Sequence, residues 1–335
     1  MFNPKIKSLW LIVVASIAVV VVVAVGTSCA AAVYGCNTIV MTQCLSPLKL
    51  PVDGESGKFR IVPCGKCNAC LVRSRSEWVC RLQEEARVAK SSYFLTLTYD
   101  NEHLPIQEYV DPESGACFYN GVVVKDDIVK FNKRFRKYLD VHFGAKTRYY
   151  LISEYGPHTL RPHYHGIYCL DTSLSPDDVH RAACSAWPFC DPLRLTVGLV
   201  TTERIRYVTE YCLTKDGIPS YLAPNFRLMS RNPGIGSAYV NRMKSWHLAD
   251  DSRFYIRTRE GDQASLPRYY REKIYNKETL SERSADIEAA KLQELISVTS
   301  APGFDPVKYE LDKQAAIADY KRKTAFLLNK KLKKI

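Results

Sequence analysis

The chain has 335 residues, 46% of them hydrophobic and 24% charged, with 47 Lys and Arg against 35 Asp and Glu for a formal net charge of +12. That length and balance exclude a disordered chain and a small disulfide-stapled scaffold, and allow one large domain or two small ones. The basic surplus favours a polyanionic partner, although basic proteins that bind nothing in particular are common.

The N-terminus opens with Lys5 and Lys7 ahead of an apolar run from Leu9 to Val25, broken only by Ser16. Such a run resembles a signal-peptide core or a short membrane span. It reads either as a membrane tether through residues 9–25 or as an upstream extension, with Met41 as the start. The second reading is preferred, because a targeting segment should match the chemistry behind it. Of the twelve cysteines, three form Cys64-x-x-Cys67-x-x-Cys70, and most others are scattered in apolar surroundings. Scattered thiols with one cluster suggest a reducing compartment. Cys44, Cys64, Cys67 and Cys70 together supply the four thiolates of a structural zinc site. The competing reading is a turn entering a helix with small buried thiols. An iron–sulfur reading is weaker, since position 74 is serine rather than the cysteine of a ferredoxin run.

From Leu71 to Lys90, Trp78, Leu82, Ala86 and Ala89 fall on one helical face. Residues 93–99 alternate as a strand, and Asp100-Asn101 turns the chain. Residues 105–121, with Pro105, Pro112, Gly115 and Gly121, read as a loop or hairpin. Asp126 to Phe143 reads as a basic amphipathic helix with Ile128, Phe131, Phe135 and Leu139 inward. Arg148–Tyr155 and Pro162–Leu170 read as strands, antiparallel because so few residues join them. Ser175 with Pro176 starts a helix. Gly198–Thr202 gives a short strand and Glu203–Lys215 another helix. The expected fold is therefore α+β, an antiparallel sheet with helices on one face. Beyond Gly217 the chain reads as loop-rich to about Val240, then basic from Asp250 to Lys277, with a helical tail over residues 305–335.

Arg161-Pro162-His163-Tyr164-His165-Gly166 is the central motif. On a strand the two histidines share a face, about 6.6 Å apart, so two neutral imidazoles can hold one divalent cation. Seven histidines make a chance His-x-His unremarkable, and such a pair can also be plain sheet surface. Glu154, ending the preceding strand, is the candidate third ligand; a solvated carboxylate is its alternative. His103 and His158 are further candidates, His158 more plausibly in the turn. Tyr207, Tyr211 and Lys215 stand at i, i+4 and i+8, about 6 Å apart along one helical face. A phenol with pKa near 10 is a weak nucleophile that needs a polarised phosphate or a neighbouring lysine. In a chain with 21 tyrosines, such a pair alone can equally be packing.

Taken together and in order, the motifs resemble a known family. Pro63-Cys64-Gly65-Lys66-Cys67-x-x-Cys70 with Arg73, Arg75 and Trp78, then residues 94–100, Arg161 to Gly166, Tyr207 to Lys215, and Met229 to Gly236, are similar to the replication initiators of microviruses, the gokushovirus kind within the HUH endonuclease superfamily. The resemblance spans roughly residues 41–239. It implies a five-stranded antiparallel sheet with the histidines on a central strand. It implies a rolling-circle initiator that nicks and religates single-stranded origin DNA through a 5′-phosphotyrosine on Tyr207 or Tyr211. Magnesium or manganese would be held by His163, His165 and Glu154, host replication proteins would be further partners, and the site of action would be the host bacterial cytoplasm. The apolar leader and Glu210 depart from the family pattern. A plasmid-type relaxase or transposase of the same superfamily, and a non-catalytic single-stranded DNA-binding protein, are the alternatives.

Arg161, Arg204, Arg206 and Arg231 are the candidate DNA contacts, with Tyr99, Tyr155, Tyr164 and Tyr168 as stacking platforms. The loop Ser230–Gly236 offers hydroxyl and amide groups for phosphate, or is only a turn. Solvated basic faces are the alternative for the arginines. The expected division is an apolar leader over 1–40, a cysteine motif and helix over 41–90, an endonuclease core over 91–240, and a basic region with a helical tail over 241–335.

Overall fold

The computed structural model describes residues 44, 47–51, 59–156, 158–189, 192–210, 218–257, 261, 263–312, 314–315, 317–319 and 322. The leader, Tyr211, Lys215 and the terminal lysines lie outside them. Among the described residues no helix is long and apolar enough to cross a membrane. The chain divides into two units, residues 1–70 and 71–335.

In the first unit, β1 (Leu48–Pro51) pairs antiparallel with β2 (Phe59–Val62), with Leu48 opposite Val62. Cys64, Cys67 and Cys70 follow, the last in the opening turn of α1 (Asn68–Val88).

The second unit is built on a five-stranded antiparallel sheet of order β8-β3-β7-β6-β9. Its strands are β3 (Ser91–Thr98), β6 (Thr147–Tyr155), β7 (Pro162–Leu170), β8 (Thr196–Leu199) and β9 (Arg227–Met229). The histidine strand β7 is the middle one, as expected. The hairpin of β4 (Ile106–Val110) and β5 (Cys117–Gly121) leads into α2 (Lys125–Phe143). Ile128, Phe131, Phe135 and Leu139 of α2 are all fully buried. Gly144 ends that helix at φ 60°, a left-handed conformation that costs glycine little. In α3 (Pro176–Ala186) the Ser175 side chain accepts from the Asp178 amide, and Asp178 reaches back to the Ser175 amide. This reciprocal cap fixes the helix start that Ser175 and Pro176 mark in the sequence.

The sheet is covered on both faces, not one. Tyr93, Leu95, Leu97, Tyr164 and Tyr168 pack with α2 and α3 residues such as Phe131, Phe135, Val179 and Ala183. The opposite face presents Tyr150, Ile152, Ile167 and Cys169 to Leu82 of α1 and to Ile205 and Val208 of α4 (Thr202–Glu210). Because both alternating residue sets of β6 and β7 are apolar, each face needs a cover. One-sided coverage would have left Tyr150 and Ile167, each 0% exposed, in water.

Boundaries shift where caps decide them. The short strand is Thr196–Leu199, because Thr201 accepts the Arg204 amide through its hydroxyl and the Ile205 amide through its carbonyl, which starts α4 at Thr202. The strand expected over residues 93–99 begins two residues earlier, with Ser91 and Ser92 in β3. The region expected as loop contains the edge strand β9, paired with Tyr150–Ile152; three residues are too few to display an alternation. A third core gathers Tyr239 from α5 (Ala238–Leu248), Ile256 from β10 (Tyr255–Arg257), and Tyr270 and Ile274 from α6 (Arg268–Ile274), beside Cys80. The strand β11 (Gln263–Ser265) pairs with β10, and α7 (Lys277–Thr299) follows. Residues 306–312 are helical, within the expected tail.

Candidate active site

His163 and His165 lie on the face of β7 that also carries Ile167 and Cys169, the face covered by α1 and α4. Strand register sets Glu154 directly opposite His163, and Thr96 and Thr98 of β3 opposite His165 and His163. The Glu154 carboxylate Oε2 is 3.1 Å from His165 Nε2. The Tyr207 hydroxyl donates to the same carboxylate oxygen at 3.2 Å. The imidazole edge of His165 meets the Tyr207 ring at 5.3 Å between centroids, and Thr96 Oγ1 lies 3.2 Å from His165 Nδ1. Phenol, carboxylate and imidazole thus form one chain of contacts between a helix and the sheet.

Tyr207 reaches the sheet because α4 packs through Ile205 and Val208, fixing which way its remaining residues point. Glu154 and His165 are each only 8% exposed, so their contact sits in a medium that strengthens it. Burial holds His163 below the ordinary imidazole value, with the neighbouring His165 adding to this. A neutral imidazole is the form that ligates a metal. Thr98 Oγ1, across from His163, is buried and has no hydrogen-bond partner among the described residues.

The donor set of two imidazoles and a carboxylate fits a borderline divalent cation. The two rings are parallel within 1° and 6.4 Å apart between centroids. A Cβ on Gly156 would lie 3.3 Å from His163 Cε1, so the glycine leaves the His163 ring its room.

An open groove of about 430 Å³ lies beside these groups, lined by Phe94, His165, Glu203, Arg204 and Tyr207. The Arg204 guanidinium stands 5.5 Å from the Phe94 ring, a cation beside an aromatic face. A larger depression of about 710 Å³ lies at the far end of β6 and β7, lined by groups including Arg136, Lys137 and Lys146. It holds none of the histidines.

The other expected site residues fall in several places. Tyr211 and Lys215 lie outside the described residues. Arg161 donates to Asn101 Oδ1 and to the Tyr99 carbonyl, holding the loop that leaves β3. Arg206 and Arg231 are exposed. Glu210 pairs with Arg75 at 3.4 Å. His103 caps its own turn through Asp100, and His158 is an exposed turn residue.

The four tyrosines expected as stacking platforms are buried instead. Tyr99, Tyr164 and Tyr168 belong to the core under α2 and α3, with hydroxyls bonded to Asp127, the Val124 amide and Asn132. Tyr155 donates to the Ala223 carbonyl. Half-buried Phe94 lines the groove together with Tyr207, and an aromatic count could not separate it from core. The Ser230–Gly236 loop is a packing element. Glu85 accepts the Gly236 amide, Arg81 donates to the Ile235 carbonyl, and Arg148 donates to the Pro233 carbonyl. Gly236, at φ 76°, leaves no room for a Cβ beside the Tyr270 hydroxyl.

Cys44, Cys64, Cys67 and Cys70 come together with all four sulfurs within 4.8 Å of one another. They form the one group of three or more candidate ligands that meets this closeness among the described residues; His163, His165 and Glu154 do not.

Residues 92–216 match the family model described as replication-associated protein ORF2, a span that includes both histidines and both tyrosines. The chain is 30% identical over 226 residues to the replication-associated protein ORF2 of Spiroplasma virus 4, covering 62% of this chain and 66% of that protein. It is 33% identical over 106 residues to the replication-associated protein ORF4 of Chlamydia phage 1, covering 32% of this chain and 23% of that protein. It is 25% identical over 286 residues to the replication-associated protein VP4 of Bdellovibrio phage phiMH2K, covering 80% and 83%. The matches thus span less than two thirds of the length of the first two relatives. Among solved structures, a nuclease domain of the Minute virus of mice non-structural protein-1 is similar over 50% of this chain and 83% of that one, at 11% identity and a TM-score of 0.18, a likeness too slight to bear on function. The chain is therefore similar to phage replication-associated proteins over the part that carries the histidine strand and the tyrosine helix.

Proposed function

We propose that this chain is a rolling-circle replication initiator that nicks and rejoins single-stranded origin DNA through a 5′-phosphotyrosine, with Tyr207 as nucleophile. The observation that carries the reading is the contact chain from the Tyr207 hydroxyl through Glu154 to His165, at 3.2 and 3.1 Å. The likeness of residues 92–216 to phage replication-associated proteins supports it.

The reaction joins the phenol oxygen to the scissile phosphorus and breaks the phosphorus–O3′ bond. The DNA keeps a 3′-hydroxyl, and its 5′-phosphate becomes an ester of tyrosine. A free phenol is weakly nucleophilic near neutral pH, so its proton must leave as the bond forms. Glu154 Oε2 accepts the phenol hydrogen bond and is the base placed to take that proton. The O3′ leaving group is protonated from solvent. His163, His165 and Glu154 would hold a divalent cation, manganese by the two nitrogens or magnesium by its abundance in cells. Such an ion supplies charge neutralisation to the phosphate oxygens. Arg204 and Phe94 line the groove where a flanking phosphate and base would lie. Tyr211 and Lys215, four and eight residues beyond Tyr207, are assigned the second strand transfer and a phosphate contact on their spacing.

The test incubates the full-length protein with a labelled single-stranded origin oligonucleotide and manganese. A covalent protein–DNA adduct is expected, absent from the Tyr207→Phe/Tyr211→Phe double variant. No adduct with the unaltered protein would leave a DNA-binding protein without strand-transfer chemistry.

A further inference from the structure

We propose that Cys44, Cys64, Cys67 and Cys70 bind one structural zinc ion, and that this ion, rather than an apolar core, holds the described residues of the first unit together. Zinc–thiolate bonds of about 2.3 Å set the sulfurs of a tetrahedral site about 3.8 Å apart. Cys67 Sγ and Cys44 Sγ are 3.8 Å apart, and no pair among the four exceeds 4.8 Å. None of the four is in a disulfide.

The backbone is already arranged for thiolates. The Cys64 sulfur accepts the amides of Lys66 at 3.4 Å and Cys67 at 3.3 Å. The Cys44 sulfur accepts the Cys64 amide at 3.1 Å. Amide donors turned on sulfur favour its anionic form, the form that ligates. Gly65 at φ 72° makes the tight turn that lets residues 64 and 67 face one point.

A second observation is independent of the sulfurs. Among the described residues, the ribbon β1–β2 has no core of its own. Leu48, Leu50, Phe59 and Ile61 are between 41% and 64% exposed. Of the described residues of the first unit, those that are buried are Ala69 and Cys70. A short two-stranded ribbon is marginal in water without further support. Segments too small to bury a core are held by disulfides or metals, and the described residues here offer four convergent thiols and no disulfide. Cys44 and Cys64 bracket the ribbon in sequence, so a shared ion closes it into a loop. Four thiolates with no oxygen donor select zinc over magnesium or manganese, so this ion is chemically separate from one held by the histidines.

The test measures metal in the purified full-length protein by elemental mass spectrometry, without added metal during purification. About one zinc per chain is expected. Cys67→Ser should lose it, and Cys117→Ser, an exposed cysteine outside the group, should keep it. Replacement by cobalt should give the intense thiolate-to-cobalt charge-transfer band and visible bands of a tetrahedral sulfur site. Those spectra do not depend on whether the serine variant folds. Protein free of zinc whose four thiols react at once with a thiol reagent, or two disulfides among the four, would overturn the proposal. Bound iron in place of zinc would overturn it as well.

Discussion

In the proposed reaction Tyr207 and Glu154 decide the chemistry at the scale of single residues. Tyr207→Phe removes one hydroxyl and leaves the ring that meets His165, so folding should be kept while the first cleavage is lost in a single-turnover nicking assay. Glu154→Gln keeps the shape and removes the base, the charge and one proposed metal ligand. Nicking should slow by about 10² to 10⁴-fold, the usual worth of a positioned general base, with oligonucleotide binding little changed. Gly156→Ala is the subtler case. Its Cβ would crowd His163 Cε1 at 3.3 Å with no positive φ to strain, so the predicted result is slower nicking at unchanged urea midpoint. Equal loss of stability and activity would instead make Gly156 a folding residue. The common face of His163 and His165 was legible because a strand has a period of two. Thr96, Thr98 and Gly156 were not, because their nearness comes from strand register and from the shape of a connection.

Among the elements, α2 was read almost completely, since its apolar spacing is a local signal, while for α3 the sequence marked only the start at Ser175 and Pro176. Phe135→Ala should destabilise by about 3–5 kcal/mol, because a fully buried ring is removed from between α2 and β7. Ser175→Ala should cost about 1 kcal/mol by chemical denaturation. The second cover of the sheet was not legible, because the pattern of β6 and β7 says that both faces are apolar but not which segment covers each. The C-terminal core offers a pH test. His247 is fully buried, its Nδ1–H donating to the Arg253 carbonyl while Nε2 accepts from Tyr239. Burial holds it below the ordinary imidazole value. The fold therefore favours the neutral ring. Stability is full above pH about 6.5, where the unfolded imidazole is neutral, and declines as pH falls below it toward the lower folded value. Urea midpoints across that range should show the loss, and His247→Gln should flatten it.

For the whole molecule, the +12 charge states a preference for polyanions without saying where they bind. The groove beside Phe94 and Arg204 is the place proposed for that preference, and the buried tyrosines remove the surface that an aromatic count had suggested. Affinity for single-stranded DNA should fall with salt, and Arg204→Ala should make the log–log slope shallower by about 0.7, the worth of one phosphate contact on a single strand. The residue to which the DNA becomes attached is the most direct mark of the nucleophile. The covalent adduct formed with origin oligonucleotide and manganese should be digested with protease and nuclease, and the nucleotide-bearing residue identified by tandem mass spectrometry. The predicted result is a 5′-nucleotide on Tyr207. A nucleotide found only on a residue away from α4, or on none, would contradict the placement of the nucleophile against Glu154 and His165.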